Sequence, residues 1–557
     1  MPLADAAFES IANDFIAAYL EARPEQSTAF GDHRHDRRLR DYSPAALAAE
    51  GASLRHTLAR LAELNFAQLS PVNRIDAQIL RNQAEESLFE LEEERPHALS
   101  PLSYDTSLAN GIYLLFARDI LPARDRLRGI AGRLGEIPRV VAQAKANLQR
   151  PPRVHTETAI SRNPGTIALI QTDIQPLLDQ VPEMAAELEP LRAAAIAALN
   201  DYRAWLERDL LPRSDGDFRL GEARFRRKLR FALFSELTPE EIRLRAEAEL
   251  VTATNELYET ARSLFLRTHP EAPQSEVADR PHVIRTTLRQ VSERQATGDT
   301  LASRCQDILA AATDFVRQHD LITLPDAPVK VILAPAFVRG VAVAYCDPPG
   351  ALEPGGSTFF AIAPPPDDWD EPRKQSFFRE YCDAMLHDLT VHEAMPGHFV
   401  QLARANQFRA PTLIRAMFYS GTYVEGWAIW SEKLMANLGF GGPENKLQQL
   451  KMRLRLIINS LLDQGVHLAG MTEAQAMDLM INQGYQEEGE AAGKWRRACL
   501  TSTQLSTYFV GALEFEDLRE SARRAWGSGF ADKRFHDEVT AHGSPPCGLL
   551  KQAMRLS

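Results

Sequence analysis

The segment LHDLTVHEAMPGHFVQLAR (386–404) decides how the rest of the chain is interpreted, because it sets two histidines around a glutamate, a proline and a glycine. His392 is followed directly by Glu393. In this arrangement an imidazole binds a divalent metal, and the carboxylate beside it acts as general base on a metal-activated water. In the usual HExxH pattern the two histidines are four residues apart and share a helix face, since a helix turns about 100° per residue.

His392 and His398 are six residues apart, which would put them on roughly opposite sides of a regular helix. The helix must therefore be interrupted between them. Pro396 and Gly397 suit an interruption, because proline lacks a backbone donor and glycine tolerates unusual torsions. We expect a helix that ends near Glu393 and a turn that returns His398 to the metal. The alternative is an ordinary helix stop at Pro-Gly, with two unrelated histidines.

A second segment, GTYVEGWAIWSEKL (421–434), places Glu425 and Glu432 seven residues apart. Seven residues are about two helical turns, so the two carboxylates share one face. The rest of the helix is largely apolar, and acids on a buried helix need partners. A metal and a ligating histidine would supply those partners, whereas the alternative is a solvated acidic stripe.

The rest of the chain predicts a mainly α-helical fold. Apolar residues recur three and four apart through most of the first 320 residues, and Thr238 before Pro239 is a typical helix start. Short β-rich runs then follow at 328–335, 340–346 and 357–364. We expect them to form one small antiparallel sheet beside the helix that carries the histidines.

This change of pattern suggests two regions. Residues 1–323 form a helical N-terminal region that contributes part of the cleft. Residues 324–557 form a catalytic region, with the sheet at 328–364, the metal-site helices at 375–440 and C-terminal helices to the end.

Composition narrows the function classes. The 557 residues include 63 Lys and Arg and 75 Asp and Glu, which gives a formal net charge of −12. An acidic chain is a poor nucleic-acid or anionic-membrane binder. No apolar run approaches the roughly 18 residues that span a bilayer, and the first residues lack a signal-peptide pattern. The five cysteines show no CxxC spacing, which argues against a disulfide framework or a thiolate zinc site. We therefore expect a cytoplasmic protein without nucleic-acid or membrane partners.

HEAMPGH followed by YVEGWAIWSE resembles a large bacterial domain family of unknown function with the signature HExxPGHxxQ, whose last position is Gln401 here. The likeness extends to FGDHRHDRRLRDYSP (30–44), NPGTIALI (163–170) and the segment from Tyr345 to Ile362. That family resembles gluzincin zinc metallopeptidases, which implies a gluzincin-like helical fold and one Zn²⁺ per chain.

GTYVEGWAIWSE is also similar to the third-ligand helix of thimet-oligopeptidase-like enzymes. The likeness implies that Glu425 binds zinc and that Glu432 supports a histidine. One departure is Phe399, where family members usually carry a second histidine. If the metal ligand belonged at that position, the site would be weakened or dead. We assign His398 as the ligand instead.

A later block, GKWRRACLTSTQLSTYFVGALEF (493–515), resembles the family's R…PGQ…Y…G segment, with Ser-Thr in place of its Pro-Gly. The likeness implies that Tyr508 stabilises an oxyanion, as gluzincins commonly use a phenol or imidazole for this. Arg497 would hold a substrate carboxylate, and Gln504 falls in register beside it. The alternatives are a core tyrosine with a satisfied hydroxyl and a solvated or ion-paired arginine.

Four other polar residues are considered as site residues. Asp388 lies one helical turn before His392 and is a candidate to orient it, although a helix-surface acid is the simpler reading. His387 is expected to be structural or exposed. His33 and His35 lie in a basic, polar stretch that is typical of a solvated loop.

These observations predict a zinc-dependent metallopeptidase that hydrolyses short peptides, with Glu393 as general base and His392, His398 and Glu425 as ligands. Two alternatives remain: a metal-dependent hydrolase of a non-peptide amide or ester, and a catalytically silent binding protein of the same fold. The sequence contains no GxSxG and no Walker-type loop, which disfavours a serine-triad hydrolase and a P-loop enzyme. The oligomeric state is left open.

Overall fold

The computed structural model describes residues 3–117, 120–334, 343–353, 356–366 and 369–556. Within these ranges the protein is mainly helical and carries one three-stranded sheet, which confirms the predicted fold class. None of the helices in this part of the chain combines the length and apolar character needed to cross a bilayer.

The chain divides into two compact units. The first comprises Met1–Phe218, Pro349–Gly356 and Ala410–Phe418, and the second comprises Arg219–Pro348, Ser357–Arg409 and Tyr419–Ser557. The division expected at 323/324 thus falls inside the second unit. There, Leu309 on a helix and Phe360 on a strand belong to the same hydrophobic core. The change from helical to strand patterning marks a change of secondary structure within one core.

The first unit is built from helices whose N-termini are set by local capping. Ser43 and Ser70 accept hydrogen bonds from backbone N–H groups of the helices they precede, each with proline at the first helical position. Tyr104, Ile112 and Leu134 are fully buried in the core of this unit. Its helices are α1 (Leu3–Ala22), α2 (Pro24–Phe30), α3 (Pro44–Ala62), α4 (Pro71–Phe89), α5 (Pro96–Leu99), α6 (Leu102–Phe116), α7 (Ala123–Asn147), α8 (Arg153–Ala168), α9 (Gln175–Leu178) and α10 (Ala185–Trp205).

The second unit contains the helices that carry the predicted metal ligands. Thr238 and Glu241 form a capping box at the start of its longest helix, as Thr238-Pro239 predicts. In chain order the helices are α11 (Glu222–Leu233), α12 (Pro239–Thr268), α13 (Gln274–Ala278), α14 (Arg280–Val291), α15 (Leu301–Gln318), α16 (Glu371–Glu380), α17 (Asp383–Glu393), α18 (His398–Ala405), α19 (Ile414–Met417, in the first unit), α20 (Gly421–Asn437), α21 (Gly442–Ala469), α22 (Glu473–Asp478), α23 (Glu488–Leu500), α24 (Ser506–Trp526), α25 (Asp532–Val539) and α26 (Cys547–Ala553).

The sheet has three strands in the order β1-β3-β2, with β1 at Val329–Leu333, β2 at Ala344–Asp347 and β3 at Thr358–Ile362. β2 pairs antiparallel with β3, but β1 pairs parallel with β3, so the sheet is mixed rather than antiparallel throughout. The stretch between β1 and β3 is long enough for the crossover that a parallel pair requires. Residue 335 of the first predicted strand and residues 340–342 of the second lie outside the described residues.

Candidate metal centre

The HEAMPGH motif forms two helices joined by a tight turn. α17 ends at Glu393, and α18 begins at His398. Between them, the N–H of Met395 donates to the carbonyl of Thr390 at 3.1 Å, and the N–H of Gly397 donates to the carbonyl of Val391 at 2.9 Å. The chain therefore folds back onto the last turn of α17, as the spacing of the two histidines predicts.

Glycine is required at position 397 by close backbone approach. A Cβ there would lie 1.9 Å from the carbonyl oxygen of His392 and 2.2 Å from that of Val391, far inside van der Waals contact. The turn is also held from the neighbouring helix α20, because the indole of Trp427 donates to the carbonyls of Pro396 at 2.9 Å and Gly397 at 3.1 Å. The turn that precedes His398 is thereby attached to α20, the helix that carries Glu425.

The turn brings His392, His398 and Glu425 together, each offering one ligand atom within 4.8 Å of the others. Nε2 of His392 lies 3.4 Å from Oε2 of Glu425, and Nε2 of His398 lies 3.7 Å from the same oxygen. The two imidazole rings are 4.6 Å apart and nearly perpendicular. Two imidazoles and one carboxylate are the donor set of a catalytic zinc site with an open position.

The polar atoms of this group fit a cation. Oε2 of Glu425 is buried and has no hydrogen-bond donor among the described residues, an arrangement that costs free energy unless a further partner binds. Burial opposes ionisation of Glu425, yet the two imidazoles outweigh it and hold its pKa below the ordinary value. Burial lowers the pKa of His398 to about 4, so its ring is neutral and able to bind a metal at physiological pH.

His392 is oriented by Glu432. Its Nδ1 donates to Oε1 of Glu432 at 2.5 Å, which leaves Nε2 directed at Glu425. Burial disfavours a charged ring, but Glu425 and Glu432 raise the pKa of His392 well above its usual value. The raised pKa favours a second proton on the His392 ring, and a bound metal ion would take the place of that proton. This is the position that the seven-residue spacing and the thimet-oligopeptidase likeness predict for Glu432.

Asp388 fits neither of the two roles considered for it, the group that orients His392 and the helix-surface acid. It is 2% exposed, so it is not a surface acid. No hydrogen bond joins it to His392 in the described part of the chain, and its Oδ1 has no partner there. Burial, and then the charge of Glu432, raise the pKa of Asp388 well above its ordinary value. Glu432 occupies the orienting position instead, because it approaches the ring nitrogen from the facing helix.

Glu393 lies beside the ligand group with a perturbed carboxyl. It is 7% exposed, and burial raises its pKa to about 7, while the backbone of Cys346 in β2 favours the ionised form. A carboxyl that titrates near neutrality can both accept and return a proton under working conditions.

Close packing of α20 on α24 brings Tyr508 to the same site. A Cβ on Gly426 would lie 2.4 Å from the carbonyl oxygen of Gly511, and one on Gly511 would lie 2.3 Å from that of Thr422. Tyr508 precedes Gly511 by about one helical turn. The charge of Glu425, followed by burial, raises the pKa of Tyr508, which is consistent with a phenol close to the ligand group.

The Arg497, Gln504 and Tyr508 side chains form a cluster. Nη2 of Arg497 donates to Oε1 of Gln504 at 2.6 Å and approaches the Tyr508 hydroxyl at 3.5 Å. Nε2 of Gln504 donates to the same hydroxyl at 3.2 Å. The family-like spacing of this block therefore does bring the three side chains together.

The cluster opens onto a cavity of about 280 Å³ in the second unit, which the site residues His392, Glu393, Arg497 and Tyr508 line. A larger cavity of about 480 Å³ lies in the first unit, but it holds none of the three ligand residues. The smaller cavity is therefore the candidate substrate site.

Sequence reasoning missed several polar residues that line the smaller cavity, among them Tyr381, Arg455, Glu490 and Lys494. Lys494 precedes Arg497 by three residues on α23, so the two residues share a helix face. Helical spacing alone could therefore have indicated Lys494 as a neighbour of Arg497. Arg455 comes from α21 and has no such local signal.

Other motif residues are structural. Phe399 is 2% exposed and packs in the hydrophobic core of the second unit, and it is not among the metal-ligand group. Gln401 is fully buried and donates to Oγ of Ser544 at 2.7 Å. His387 is part-buried and bonds the carbonyl of Asp383.

His33 and His35 lie in the first unit, on the short 3₁₀ turn His33–His35, and neither belongs to the metal-ligand group. Nδ1 of His33 lies 2.9 Å from Oδ2 of Asp36. Both residues are only partly exposed. His33 therefore pairs with a carboxylate of its own unit.

Comparison with known proteins places the whole chain in a family. The sequence model described as "Bacterial protein of unknown function (DUF885)" matches residues 24–554. No curated protein matches the chain.

The solved structures that are similar to this chain include the following three. A candidate lipoprotein of unknown function from Shewanella oneidensis is 28% identical with a TM-score of 0.82, covering 98% of this chain and 99% of its own. A candidate lipoprotein from Colwellia psychrerythraea is 18% identical with a TM-score of 0.80, covering 99% of each chain, and shows the fold alone. Metallocarboxypeptidase 1 of Trypanosoma cruzi is 12% identical with a TM-score of 0.41, covering 99% of this chain and 96% of its own.

The cytoplasmic location expected from the sequence is wrong by this comparison, because two of these similar structures are described as lipoproteins. The expectation rested on the missing signal-peptide pattern. A targeting segment is commonly removed from a mature chain, so its absence carries no information about location.

Proposed function

The chain belongs to the DUF885 family of bacterial proteins of unknown function. From the geometry of its site, we propose that it is a zinc-dependent metallopeptidase that hydrolyses short peptides. The observation that supports this most is the convergence of His392, His398 and Glu425 within 4.8 Å, with Glu393 lining the adjoining cavity.

His392, His398 and Glu425 would hold the metal. Bound there, a zinc ion supplies a Lewis acid that polarises the scissile carbonyl and lowers the pKa of water at its open position. Glu432 keeps the His392 ring in the orientation that binding requires, through its contact with Nδ1.

Glu393 is the general base and then the general acid. Its carboxylate takes a proton from the attacking water, and the resulting carboxylic acid gives that proton to the leaving amine. Glu393 directly follows the ligand His392 and lines the cavity, which is the position of the general base in zincin sites. The proton count balances over one turnover, because the water supplies the hydroxyl of the new acid and the hydrogen of the new amine.

Tyr508 is the proposed oxyanion donor. Nε2 of Gln504 donates to its hydroxyl oxygen, so the phenolic hydrogen remains free to point into the cavity. A donor aimed at the charge that develops on the scissile carbonyl oxygen is worth about 3 kcal/mol or more in comparable sites. The size of the cavity, about 280 Å³, suits the end of a short substrate.

Hydrolysis of a mixed peptide library, followed by mass spectrometry, tests this proposal. We expect metal-stripped protein to be inactive, added zinc to restore cleavage, and Glu393→Gln to lose at least 10³-fold in kcat while keeping its metal. Glu259→Gln, an exposed change on α12, should cleave like the wild type. Zinc-loaded wild type that leaves every peptide intact would refute the peptidase and favour a non-peptide amide or ester as substrate.

A further inference from the structure

The wall of the cavity away from the metal ligands carries an excess of positive charge. Among the described residues of this wall and those in contact with it, two carboxylates already have cationic partners. Nζ of Lys451 donates to Glu380 at 2.8 Å, and the guanidinium of Arg455 contacts Glu490 and lies 3.7 Å from Glu380. Lys494 and Arg497 add two further cations to the same wall.

Lys494 is buried without a strong partner. It is 7% exposed and lines the cavity, and no hydrogen bond to its Nζ is present in the described part of the chain. Its ion-pair contact is with Oε1 of Glu490 at 3.7 Å, the same oxygen that Arg455 contacts. Burial, together with Arg455 and Arg497, lowers the pKa of Lys494 well below its usual value.

Arg497 forms no ion pair among the described residues, although its charge lowers the pKa of Glu425. Its guanidinium donates to the neutral Gln504 amide and approaches the neutral Tyr508 hydroxyl. No carboxylate pairs with it within the described residues. Arg497 and Lys494 are three residues apart on α23, so their side chains project from one face of that helix.

We propose that Lys494 and Arg497 form a carboxylate site, and that the preferred substrates present a carboxylate to this wall while the scissile bond lies at the metal. This inference rests on the proposed function, because it names the substrate class of the same cavity. A carboxylate accepts hydrogen bonds from both cations at once and supplies the counter-charge that this wall lacks. It has two possible sources, the C-terminal carboxylate of a peptide and the side chain of an acidic residue.

The site would select by exclusion as well as by attraction. An amide in place of the carboxylate brings no negative charge to stabilise the ammonium form of Lys494 against its burial. A site with buried polar groups also rejects a ligand that cannot pair with them. We therefore expect a neutral analogue to lose at least tenfold in kcat/KM.

Four tetrapeptides test the inference. One is all-alanine with a free C-terminal carboxylate, the second is its C-terminal amide, and the other two carry Glu or Gln at the penultimate position of the amide. We expect the wild type to prefer one carboxylate peptide over its neutral partner by at least tenfold in kcat/KM, and the preferred pair identifies the source. Lys494→Met should reduce that preference below threefold, mainly by raising KM for the carboxylate peptide.

Two variants control for structural damage. Lys494→Arg keeps a cation at this wall and should retain most of the preference. Lys433→Met removes a lysine whose partner is Glu516, outside this cavity, and should behave as the wild type. Equal loss of activity on all four peptides in Lys494→Met would indicate a structural role and overturn the carboxylate site.

A binding measurement separates failure of this site from failure of the proposed function. Isothermal titration of zinc-loaded Glu393→Gln with the same peptides needs no turnover. A tenfold tighter Kd for a carboxylate peptide, lost when Lys494→Met is added, supports the site even if no peptide is cleaved. If neither carboxylate improves cleavage or binding, the carboxylate site is overturned. Cleavage of the peptides would still support the proposed peptidase activity.

Discussion

Glu432 lies two helical turns beyond Glu425 on α20, and its Oε1 accepts a hydrogen bond of 2.5 Å from Nδ1 of His392. The two carboxylates of one helix therefore face the two nitrogens of the same imidazole, since Oε2 of Glu425 lies 3.4 Å from Nε2. Such outer partners fix the tautomer and orientation of a ligating histidine.

The first prediction compares the two buried acids near His392. Glu432→Gln removes the carboxylate acceptor and should weaken zinc binding by about ten- to a hundredfold. Asp388→Asn should change it less than threefold, because Asp388 makes no hydrogen bond to the ring among the described residues. Competition titration against a zinc chelator at pH 7.5 measures both constants. Equal weakening by the two changes would contradict the assignment of Glu432 as the orienting group.

The second prediction concerns the turn between the two histidines. Gly397→Ala places a methyl group 1.9 Å from the His392 carbonyl, so the turn must open and His398 must move. We expect zinc binding to be lost and the free energy of unfolding to fall by more than about 3 kcal/mol. Gly548→Ala is the matched control, because Gly548 is in α26 with no atom within 4 Å of the added Cβ. It should be neutral or stabilising by up to about 1 kcal/mol.

The third prediction uses a strained residue in the family-like block. Thr503 has φ 67°, a conformation that a β-branched residue adopts at a cost. Thr503→Gly should raise the free energy of unfolding by about 1 kcal/mol. Thr501→Gly, at a position with φ −133°, should instead lower it by about 0.5–1 kcal/mol. Urea unfolding measures both free energies; a Thr503→Gly variant destabilised as much as Thr501→Gly would contradict the strain.

The fourth prediction concerns pH and the first unit. Burial raises the pKa of Asp105 to about 7, above the unfolded value of about 3.9. The folded state then binds the proton more tightly, so this group lowers stability as pH rises from about 4 to 7. Asp105→Asn cannot ionise, and its stability relative to wild type should increase by roughly 1–3 kcal/mol between pH 5 and pH 8. Urea unfolding measures the two free energies of unfolding. A difference between variant and wild type that is the same at pH 5 and at pH 8 would contradict the buried, protonated carboxyl.

The sequence predicted the parts of the site that depend on local spacing. Pro396 and Gly397 between two histidines required a turn, and the seven-residue spacing of Glu425 and Glu432 required a shared face. Those local constraints determine geometry within one or two helical turns, and the structure has both features.

Features that depend on long-range packing were not predictable in this way. The parallel pairing of β1 with β3 depends on where the connecting chain runs, which no strand pattern encodes. Arg455 reaches the cavity wall from α21, far from the motif in sequence. The burial of Asp388, which is 2% exposed, likewise comes from the elements packed around α17 and not from its position one turn before His392.

Metal analysis of the purified protein by mass spectrometry tests whether His392, His398 and Glu425 bind one zinc ion. We expect about one zinc per chain in the wild type, in Glu393→Gln and in the exposed control Glu259→Gln, and less than a tenth of that in Glu425→Ala. Wild type that holds no metal after incubation with zinc, or Glu425→Ala that holds as much as the wild type, would contradict this ligand set.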